Sequence, residues 1–140
     1  MEGAGIMKAF PLKIVTPYGQ AYDGSAEEVI VRTTTGDMGI LAGHTNCVAP
    51  LGMGRATVVI DGKKRYAACI GGMLSVVGGQ VSIVATTFEW AEDIDADRAE
   101  ASRTRAKAVL ADKDASDTDL RLAEARLKRA LVRKNVFENQ

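Results

Sequence analysis

Apolar and polar residues alternate in short runs over the first part of the chain, and each run ends at turn-forming residues. The first run, residues 10–16, stops before Pro17-Tyr18-Gly19. One-on-one alternation is typical of a strand with one buried and one exposed face. Two of the breaks, Asp61-Gly62 and Gly78-Gly79, are strong signals for tight hairpins because their backbone accepts positive φ. We therefore predict about seven or eight strands in an antiparallel β-sandwich or flattened barrel. The later runs cover residues 26–33, 47–51, 54–60, 63–70, 73–77 and 80–87.

Two glycine-containing stretches predict irregular backbone between these strands. The stretch Gly36-Asp37-Met38-Gly39 predicts a turn. The pair Gly71-Gly72 interrupts a strand pattern, which indicates either a β-bulge or a place where another backbone comes close.

The spacing of apolar residues changes after Trp90 to three- and four-residue steps, which is the period of a helix. Acidic residues followed by basic ones match the macrodipole of a first helix. Ser116 followed by Asp119 resembles a capping box that starts a second helix. Since the break between them is short and polar, the helices should fold back as an antiparallel hairpin. The apolar positions of its seam are Ala99, Ala106, Val109, Leu110, Leu120, Ala123, Leu127 and Ala130 or Leu131.

Composition supports a division at the same point. All 14 glycines and all 3 prolines precede Ala91, and the remainder is rich in Ala, Leu and charged residues. Glycine and proline favour turns, whereas alanine favours helices. We therefore predict a β-sandwich domain over residues 8–90 and a helical hairpin domain over residues 91–140. A tail over residues 1–7, disordered or left over from cloning, would precede them.

The predicted seam of the hairpin is rich in alanine, which permits close approach but buries little apolar area. At about 25 cal/mol per Å² the contact contributes only a few kcal/mol, hardly more than the cost of ordering the loop. We therefore expect a hairpin that opens or detaches easily and acts as a switch.

The charge and cysteine content exclude several classes of protein. Acidic and basic residues balance over the whole chain, both up to Trp90 and after it, whereas a nucleic-acid-binding domain normally has a basic excess. No apolar run reaches the roughly 20 residues that span a bilayer, and no secretory signal begins the chain. Cys47 and Cys69 lack metal-binding spacing, which indicates free thiols in a reducing compartment. We predict a cytoplasmic protein without a metal site.

Few residues offer catalytic chemistry. His44 lies three residues before Cys47, a spacing that allows a thiol and imidazole pair, but no third orienting group or oxyanion loop accompanies it. Gly62-Lys63 lacks the Ser or Thr and the earlier glycine of a phosphate-binding loop. We therefore predict no catalytic residue, and an enzyme using His44 and Cys47 is the least favoured hypothesis.

Basic residues of the predicted hairpin recur at helical spacing. Arg98 and Arg105 lie near Asp95 on one face of the first helix. In a closed hairpin these rows would converge on a polyanion, because guanidinium groups match phosphate geometry. Two alternatives stay open: a solvated face with ion pairs such as Asp95 with Arg98, and docking on an acidic partner surface. The second helix carries the matching row Arg126, Arg129 and Arg133.

Four motifs occur together in the chain, and they are Leu12-Lys13-Ile14-Val15-Thr16-Pro17, Gly36-Asp37-Met38-Gly39-Ile40-Leu41-Ala42-Gly43-His44, Gly71-Gly72 and Ile94-Asp95-Ala96-Asp97-Arg98-Ala99. Their order and spacing resemble one family, the epsilon subunit of the F-type ATP synthase. The similarity covers nearly all of residues 8–136. One difference lies after His44, where Thr45-Asn46-Cys47 replaces the usual Ala-Pro-Leu, and Ala42 replaces a proline.

The resemblance implies a flattened β-sandwich followed by two helices, in a non-catalytic subunit of the central stalk. In that family the sandwich binds the gamma subunit and the c-ring and turns with them, which couples ion flow to ATP synthesis. The helices lie folded beside the sandwich or extend between the alpha and beta subunits, where basic residues hinder ATP hydrolysis. The protein would then be peripheral on the cytoplasmic face of the cell membrane, in contact with the membrane only through the complex.

Some bacterial members of this family also bind regulatory ATP on the folded hairpin. The resemblance thus implies a possible regulatory ATP site and no required cofactor. A stand-alone module that senses ATP through the hairpin is the alternative to a stalk subunit. The positions that match the family's ATP-binding pattern are Glu89, Asp95, Arg98, Ala99, Arg105, Arg129 and Arg133.

Overall fold

The computed structural model describes residues 8–140, and the tail predicted over residues 1–7 lies outside this range. Contacts between residues divide the chain into two units, one ending at Trp90 and the other covering Ala91–Gln140. Strands form the first unit and helices form the second. The change in apolar spacing along the sequence thus coincides with the change from sheet to helix.

The first unit is the predicted β-sandwich, and it contains eight strands. Along most of the strands alternate residues face inward, because successive side chains of a strand point to opposite faces. The inward side chains meet in one apolar cluster, which includes Leu12, Ile14, Val29, Leu74 and Ile83. The strands are β1 (Phe10–Thr16), β2 (Gly19–Ala26), β3 (Glu28–Thr33), β4 (Gly36–Ile40), β5 (Cys47–Pro50), β6 (Met53–Ile60), β7 (Lys63–Val77) and β8 (Gln80–Trp90).

The prediction of a purely antiparallel sheet is wrong for one pair of strands. β1 lies beside β8 in parallel, with Leu12 opposite Val81 and Val15 opposite Val84. The other strand pairs among residues 8–140 are antiparallel. A parallel pair requires a long connection, which β2 to β7 supply here, and alternation within a strand carries no information about its partner's direction. The order β2-β1-β8-β7-β6-β3-β4, with β5 on β7, leaves the sheet open rather than closed as a barrel.

The sequence pattern failed to predict two of the strands. β2 has no clear alternation, since one of its eight residues is buried, and it lies at the end of the strand order. The predicted turn at Gly36-Asp37-Met38-Gly39 is wrong, because these residues form most of β4. The turn lies two residues earlier, where the Thr33 hydroxyl donates to the Gly36 carbonyl at 2.7 Å and accepts from the Thr35 N–H at 3.2 Å. Side-chain hydrogen bonds of this kind form a turn whose two central residues, Thr34 and Thr35, are not glycine.

The Gly71-Gly72 pair lies where β7 changes its neighbour. Residues before the pair lie opposite β6, and residues after it lie opposite β5. The register with β8 continues unchanged, with Ile70 opposite Thr87 and Gly72 opposite Ala85. Of the two predicted explanations, the bulge is therefore wrong and the close backbone approach is correct. A Cβ atom on Gly72 would lie 1.9 Å from the Val84 carbonyl oxygen.

Trp90 closes the first unit at the end of β8. Its indole N–H donates to the Ala21 carbonyl oxygen at 3.2 Å. Its ring makes edge contacts with Phe88 and Tyr22, at centroid distances of 5.0 and 6.3 Å. The Arg65 guanidinium lies over the same ring at 3.8 Å, a favourable cation–π geometry. These contacts fix the last residue of the sandwich directly before the chain becomes helical.

The second unit is an antiparallel pair of helices, α1 (Ala96–Leu110) and α2 (Asp117–Glu138), preceded by a short 3-10 helix, Ala91–Asp93. The predicted capping box is confirmed: the Ser116 hydroxyl accepts from the Asp119 N–H at 3.1 Å, and the Asp119 carboxylate accepts from the Ser116 N–H at 3.4 Å. Neither these helices nor the 3-10 turn is long and apolar enough to cross a bilayer, within the range that the structure describes.

Small side chains line the seam between the two helices. The buried residues of α1 are Ala99 and Ala106, and those of α2 are Ala123, Ala130 and Val136. The predicted alanine seam is therefore correct. Of the two alternatives predicted for one position, Ala130 is buried and Leu131 is exposed. Leu110, also predicted for the seam, is exposed. The remaining predicted seam residues are half-buried, namely Val109, Leu120 and Leu127. A narrow seam is enough to pack α1 against α2, because alanine side chains let the two helix backbones come close together.

Candidate functional site

The pairing of His44 with Cys47 does not form a catalytic dyad. The Sγ of Cys47 lies 3.9 Å from the Nδ1 of His44, but the same Nδ1 lies 2.8 Å from the Thr45 carbonyl oxygen. A carbonyl oxygen only accepts, so this Nδ1 carries the hydrogen and cannot take a proton from the thiol. The other thiol, Cys69, is buried in the sandwich, and burial raises its pKa to about 12. A thiol held protonated in this way is unreactive.

Asp95 caps α1. Its carboxylate accepts from the Arg98 backbone N–H at 3.0 Å, and its backbone is extended. The anticipated ion pair between the Asp95 carboxylate and the Arg98 guanidinium is replaced by this contact to the backbone. An acidic N-cap satisfies one free N–H of the helix and complements its dipole. Arg98 thus keeps its guanidinium group exposed.

The predicted arginines lie on one edge of the helical hairpin. The contact between Glu100 of α1 and Lys134 of α2 marks the opposite edge. At about 100° per residue, Arg98 and Arg105 project from the side of α1 away from Glu100. The same period places Arg129 and Arg133 on the matching side of α2. Arg98 and Arg105 are exposed, whereas Arg129 and Arg133 are half-buried.

Positions along the axis follow from the same contact. Because Glu100 touches Lys134, Arg98 lies level with the turn of α2 that carries Arg133. Arg105 lies seven residues further on, or about 10 Å nearer the loop between the helices. The edge therefore presents these four guanidinium groups over roughly two turns of helix, which is a length suited to a chain of phosphates. Arg126 is exposed and lies about one turn from Arg129 toward the loop, where it continues the same row.

The two remaining predicted site residues have different surroundings. Ala99 is buried in the seam between the helices, so its small side chain serves helix packing. Glu89 belongs to the first unit, where it lies on β8 opposite Ala68 and is half-buried. The hairpin thus carries Asp95, Ala99 and the four arginines, and Glu89 lies in the other unit. That these residues form one ATP site stays a prediction from the resemblance.

A second charged group crosses the seam and was not found from the sequence. The Glu100 carboxylate lies 2.8 Å from the Arg103 guanidinium on the same helix and 3.1 Å from the Lys134 ammonium on the other. Lys134 and, to a smaller extent, Arg103 hold the pKa of Glu100 below its usual range. The i,i+3 spacing of Glu100 and Arg103 indicates a pair within one helix. The sequence does not show the register between the two helices, so the contact with Lys134 could not be predicted.

The outer face of the sandwich carries an apolar row, formed by Val15, Val84, Met73 and Pro50. These residues lie opposite one another on the neighbouring strands β1, β8, β7 and β5. Met73 is 44% exposed and Val84 is 55% exposed. Val48 extends the row, since it lies two residues from Pro50 on the same face of β5. Val77 lies on the same face of β7 but is separated from Met73 by Ser75. A contiguous exposed apolar patch on a sheet is typical of a protein-binding surface.

The donor atoms that a metal would need do not gather anywhere in residues 8–140. No group of three or more His, Cys, Asp or Glu side chains in this range is placed to hold an ion. The candidate sites are therefore the arginine edge of the hairpin, the charged group at Glu100 and the apolar row.

Two protein-family models match the chain, and together they cover both units. The model for the β-sandwich domain of the ATP synthase delta/epsilon chain matches residues 9–91. The model for the long α-helix domain of the same chain matches residues 92–138. The boundary between the two matches coincides with the change from strands to helices.

Similar proteins span the same length as this chain. The ATP synthase epsilon chain of Bacillus velezensis is 46% identical over 133 residues, which are 95% of this chain and 100% of that protein. The epsilon chain of Bacillus subtilis is 45% identical over 115 residues, 82% of this chain and 86% of that protein. The epsilon chain of Caldanaerobacter subterraneus is 41% identical over 127 residues, 90% and 91% respectively.

Similar folds occur in two solved assemblies. A chain of the Euglena gracilis mitochondrial ATP synthase, in a structure of its OSCP/F1/c-ring, aligns with a TM-score of 0.66 at 25% identity, covering 99% of this chain and 83% of that one. A chain of the Tetrahymena thermophila enzyme, in a structure of its central stalk and c-ring, aligns with a TM-score of 0.64 at 12% identity, covering 94% and 98%. The second likeness shows the fold alone.

Proposed function

Because this chain belongs to the ATP synthase delta/epsilon chain family, we propose that it is a non-catalytic rotor subunit of a bacterial F-type ATP synthase. It couples ion-driven rotation of the c-ring to ATP synthesis, and it restrains ATP hydrolysis through its hairpin. The observation that carries the proposal is the pairing of an exposed apolar row on a rigid sandwich with a helical hairpin whose seam is mostly alanine. The first feature suits permanent attachment, and the second suits movement.

The sandwich is the part that holds the stalk. The apolar row lies on four neighbouring strands whose opposite faces form the core, so the surface is stiff and pre-formed. Apolar surface removed from water favours binding by about 25 cal/mol per Å² before the costs of association. We infer that the gamma subunit covers this row, and that the c-ring contacts the same unit.

Replacing Met73 with glutamate should weaken this attachment. A carboxylate placed at the centre of a dry contact has to be desolvated without a partner, and we expect affinity for a subcomplex containing gamma to fall at least about tenfold. Surface-immobilised subcomplex and interferometry would measure the change.

Met53→Glu is the matched control, because Met53 is similarly exposed at 37% but lies on β6, outside the apolar row. Equal loss of affinity in both variants, or no loss in Met73→Glu, would rule out the apolar row as the gamma-binding surface.

The hairpin is the part that regulates. Four alanines and Val136 are its buried helical residues, and alanine side chains bury little area, so the free energy that holds the helices together is small. An opened hairpin offers its basic residues to the alpha and beta subunits, where it hinders hydrolysis. The closed hairpin releases that restraint.

ATP is the ligand that we propose for the arginine edge in the closed state. Guanidinium groups at Arg98, Arg105, Arg129 and Arg133 lie on one side of the hairpin, and they match phosphate oxygens in charge and geometry. Because the four groups come from both helices, a polyanion bound to them would favour the closed hairpin. The stand-alone ATP-sensing module, the alternative function, uses the same edge.

Replacing Arg98 with alanine should weaken ATP binding at least about tenfold, since an arginine–phosphate contact contributes on the order of 1.5–3 kcal/mol. Calorimetric titration of the intact chain with ATP would measure the dissociation constant. Arg121→Ala is the control, because Arg121 is an exposed arginine of α2 at a different helical phase. Identical titrations for the parent chain and for Arg98→Ala would overturn the ATP proposal while leaving the stalk role intact.

Location follows from the assembly. A rotor subunit of this kind is attached to the cytoplasmic face of the cell membrane only through its partners. No helix within residues 8–140 is long and apolar enough to cross a bilayer.

A further inference from the structure

The ion pair between Glu100 and Lys134 joins the two helices directly across their seam. The Nζ of Lys134 lies 3.1 Å from the Oε2 of Glu100, and the Nη1 of Arg103 lies 2.8 Å from the Oε1 of Glu100. The three side chains are between 27% and 44% exposed, so the group is partly withdrawn from water. A carboxylate held between two bases is more strongly bound than an isolated surface pair.

One carboxylate oxygen of Glu100 has its charge compensated only through the contact between the helices. The Oε2 of Glu100 is shielded from solvent and has no hydrogen-bond partner of good geometry, so the Lys134 ammonium at 3.1 Å is what compensates its charge. Removing the ammonium would leave a shielded carboxylate oxygen without a partner, which is costly. The lowered pKa of Glu100 has Lys134 as its main cause, in agreement with a contact that exists only while the helices are together.

The rest of the seam makes this contact important. The facing side chains at Ala99, Ala106, Ala123 and Ala130 fix the spacing of the helices but bury little area. A contact of modest strength therefore changes the balance between closed and open hairpins by a noticeable factor.

We propose that Glu100 and Lys134 form a latch that sets how often the hairpin opens. The latch rests on the proposed function in one respect: opening has a regulatory consequence only if the hairpin restrains hydrolysis. Separation of α1 from α2 breaks the ion pair, whereas Arg103 stays beside Glu100 and keeps its charge compensated. Partly exposed ion pairs are screened by salt, so ionic strength also loosens the latch.

Amide hydrogen exchange of the intact chain tests the latch directly, because α1 and α2 are marginal as isolated helices and lose protection when they separate. In Lys134→Gln, exchange in both helices should become about two- to fivefold faster, with no change in the sandwich. Adding Glu100→Gln to Lys134→Gln should change little further, since the two side chains act through one contact. At high salt the difference in exchange rate between the parent chain and Lys134→Gln should shrink, because salt screens the ion pair in the parent chain.

Lys128→Gln is the matched control. Lys128 pairs with Glu124 at 3.3 Å within α2, so its loss removes an ion pair without touching the seam. Equal acceleration in Lys128→Gln and Lys134→Gln, additive effects of the two latch substitutions, or unchanged exchange would each overturn the latch.

A second measurement separates the latch from the proposed function. Glu100→Gln breaks the latch without removing a basic residue, and in a reconstituted core complex it should strengthen the inhibition of ATP hydrolysis about two- to fivefold. Faster exchange with unchanged hydrolysis would leave the latch standing and refute the regulatory role of the hairpin. Unchanged exchange would refute the latch whatever the hydrolysis rate.

Discussion

Gly72→Ala is expected to unfold the β-sandwich. A Cβ atom at this position would lie 1.9 Å from the Val84 carbonyl oxygen and 2.8 Å from the Ala85 Cα, and both are backbone atoms of β8 that cannot rotate away. The φ angle of Gly72 is +114°, a backbone conformation that L-residues rarely adopt. Overlap and strain together should cost more than about 4 kcal/mol, which is most of the stability of a domain of this size.

Urea denaturation followed through Trp90 fluorescence measures this loss, because Trp90 is the single tryptophan and is buried at the end of the sandwich. Gly19→Ala separates strain from overlap. Its φ is +127, close to that of Gly72, but a Cβ atom there would meet nothing within 4 Å. We expect Gly19→Ala to cost only about 1–2 kcal/mol. A Gly72→Ala variant as stable as Gly19→Ala would show that β7 and β8 do not approach as described.

Ala106→Phe is expected to force the two helices apart. Ala106 is 3% exposed and lies in the alanine seam, so a phenyl ring has no space unless α1 and α2 separate. Overpacking of this kind costs about 1–3 kcal/mol, which is comparable to the few kcal/mol that hold the hairpin closed. The helical signal in circular dichroism should fall, and limited proteolysis should cut the loop at residues 111–116, while the Trp90 unfolding transition stays unchanged.

Ala108→Phe is the control for this variant. Ala108 lies two residues along the same helix and is exposed, so the ring would project into water and the loss of helix propensity would be the same. If the two variants gave the same helical signal and the same proteolysis pattern, packing at the alanine seam would not be what holds the hairpin.

The sequence predicted the elements whose residues carry their own local signal. The capping box at Ser116 and Asp119 depends on residues three positions apart, so it could be located without a structure. The change at Trp90 from period-two to helical spacing likewise reflects which side of each element is buried. Family resemblance added the architecture and the stalk function. The apolar pattern missed β2 and β4, because these two strands carry little local signal.

The arginine edge was partly readable. Arg98 and Arg105 recur at helical spacing, and so do Arg129 and Arg133, so each pair could be assigned to one face of its helix. That the two faces lie on the same edge follows only from the register between α1 and α2, which the Glu100–Lys134 contact reveals. The position of Asp95 at the start of α1 was predicted, but its partner was not, because a carboxylate before a helix can bond either a side chain or a free backbone N–H.

The sequence by itself determined that strands come first and helices second, the point where one gives way to the other, and the small side chains of the seam, because each of these depends on residues close together in the chain. Only the tertiary structure decided that β1 runs parallel to β8, that Val15, Val84, Met73 and Pro50 form one row, and that Lys134 meets Glu100. Alternation shows which residues of a strand share a face, but it contains nothing about which strand lies next to it. Those contacts join residues far apart in the chain, and the free energy of packing the whole core, not local preference, selects them.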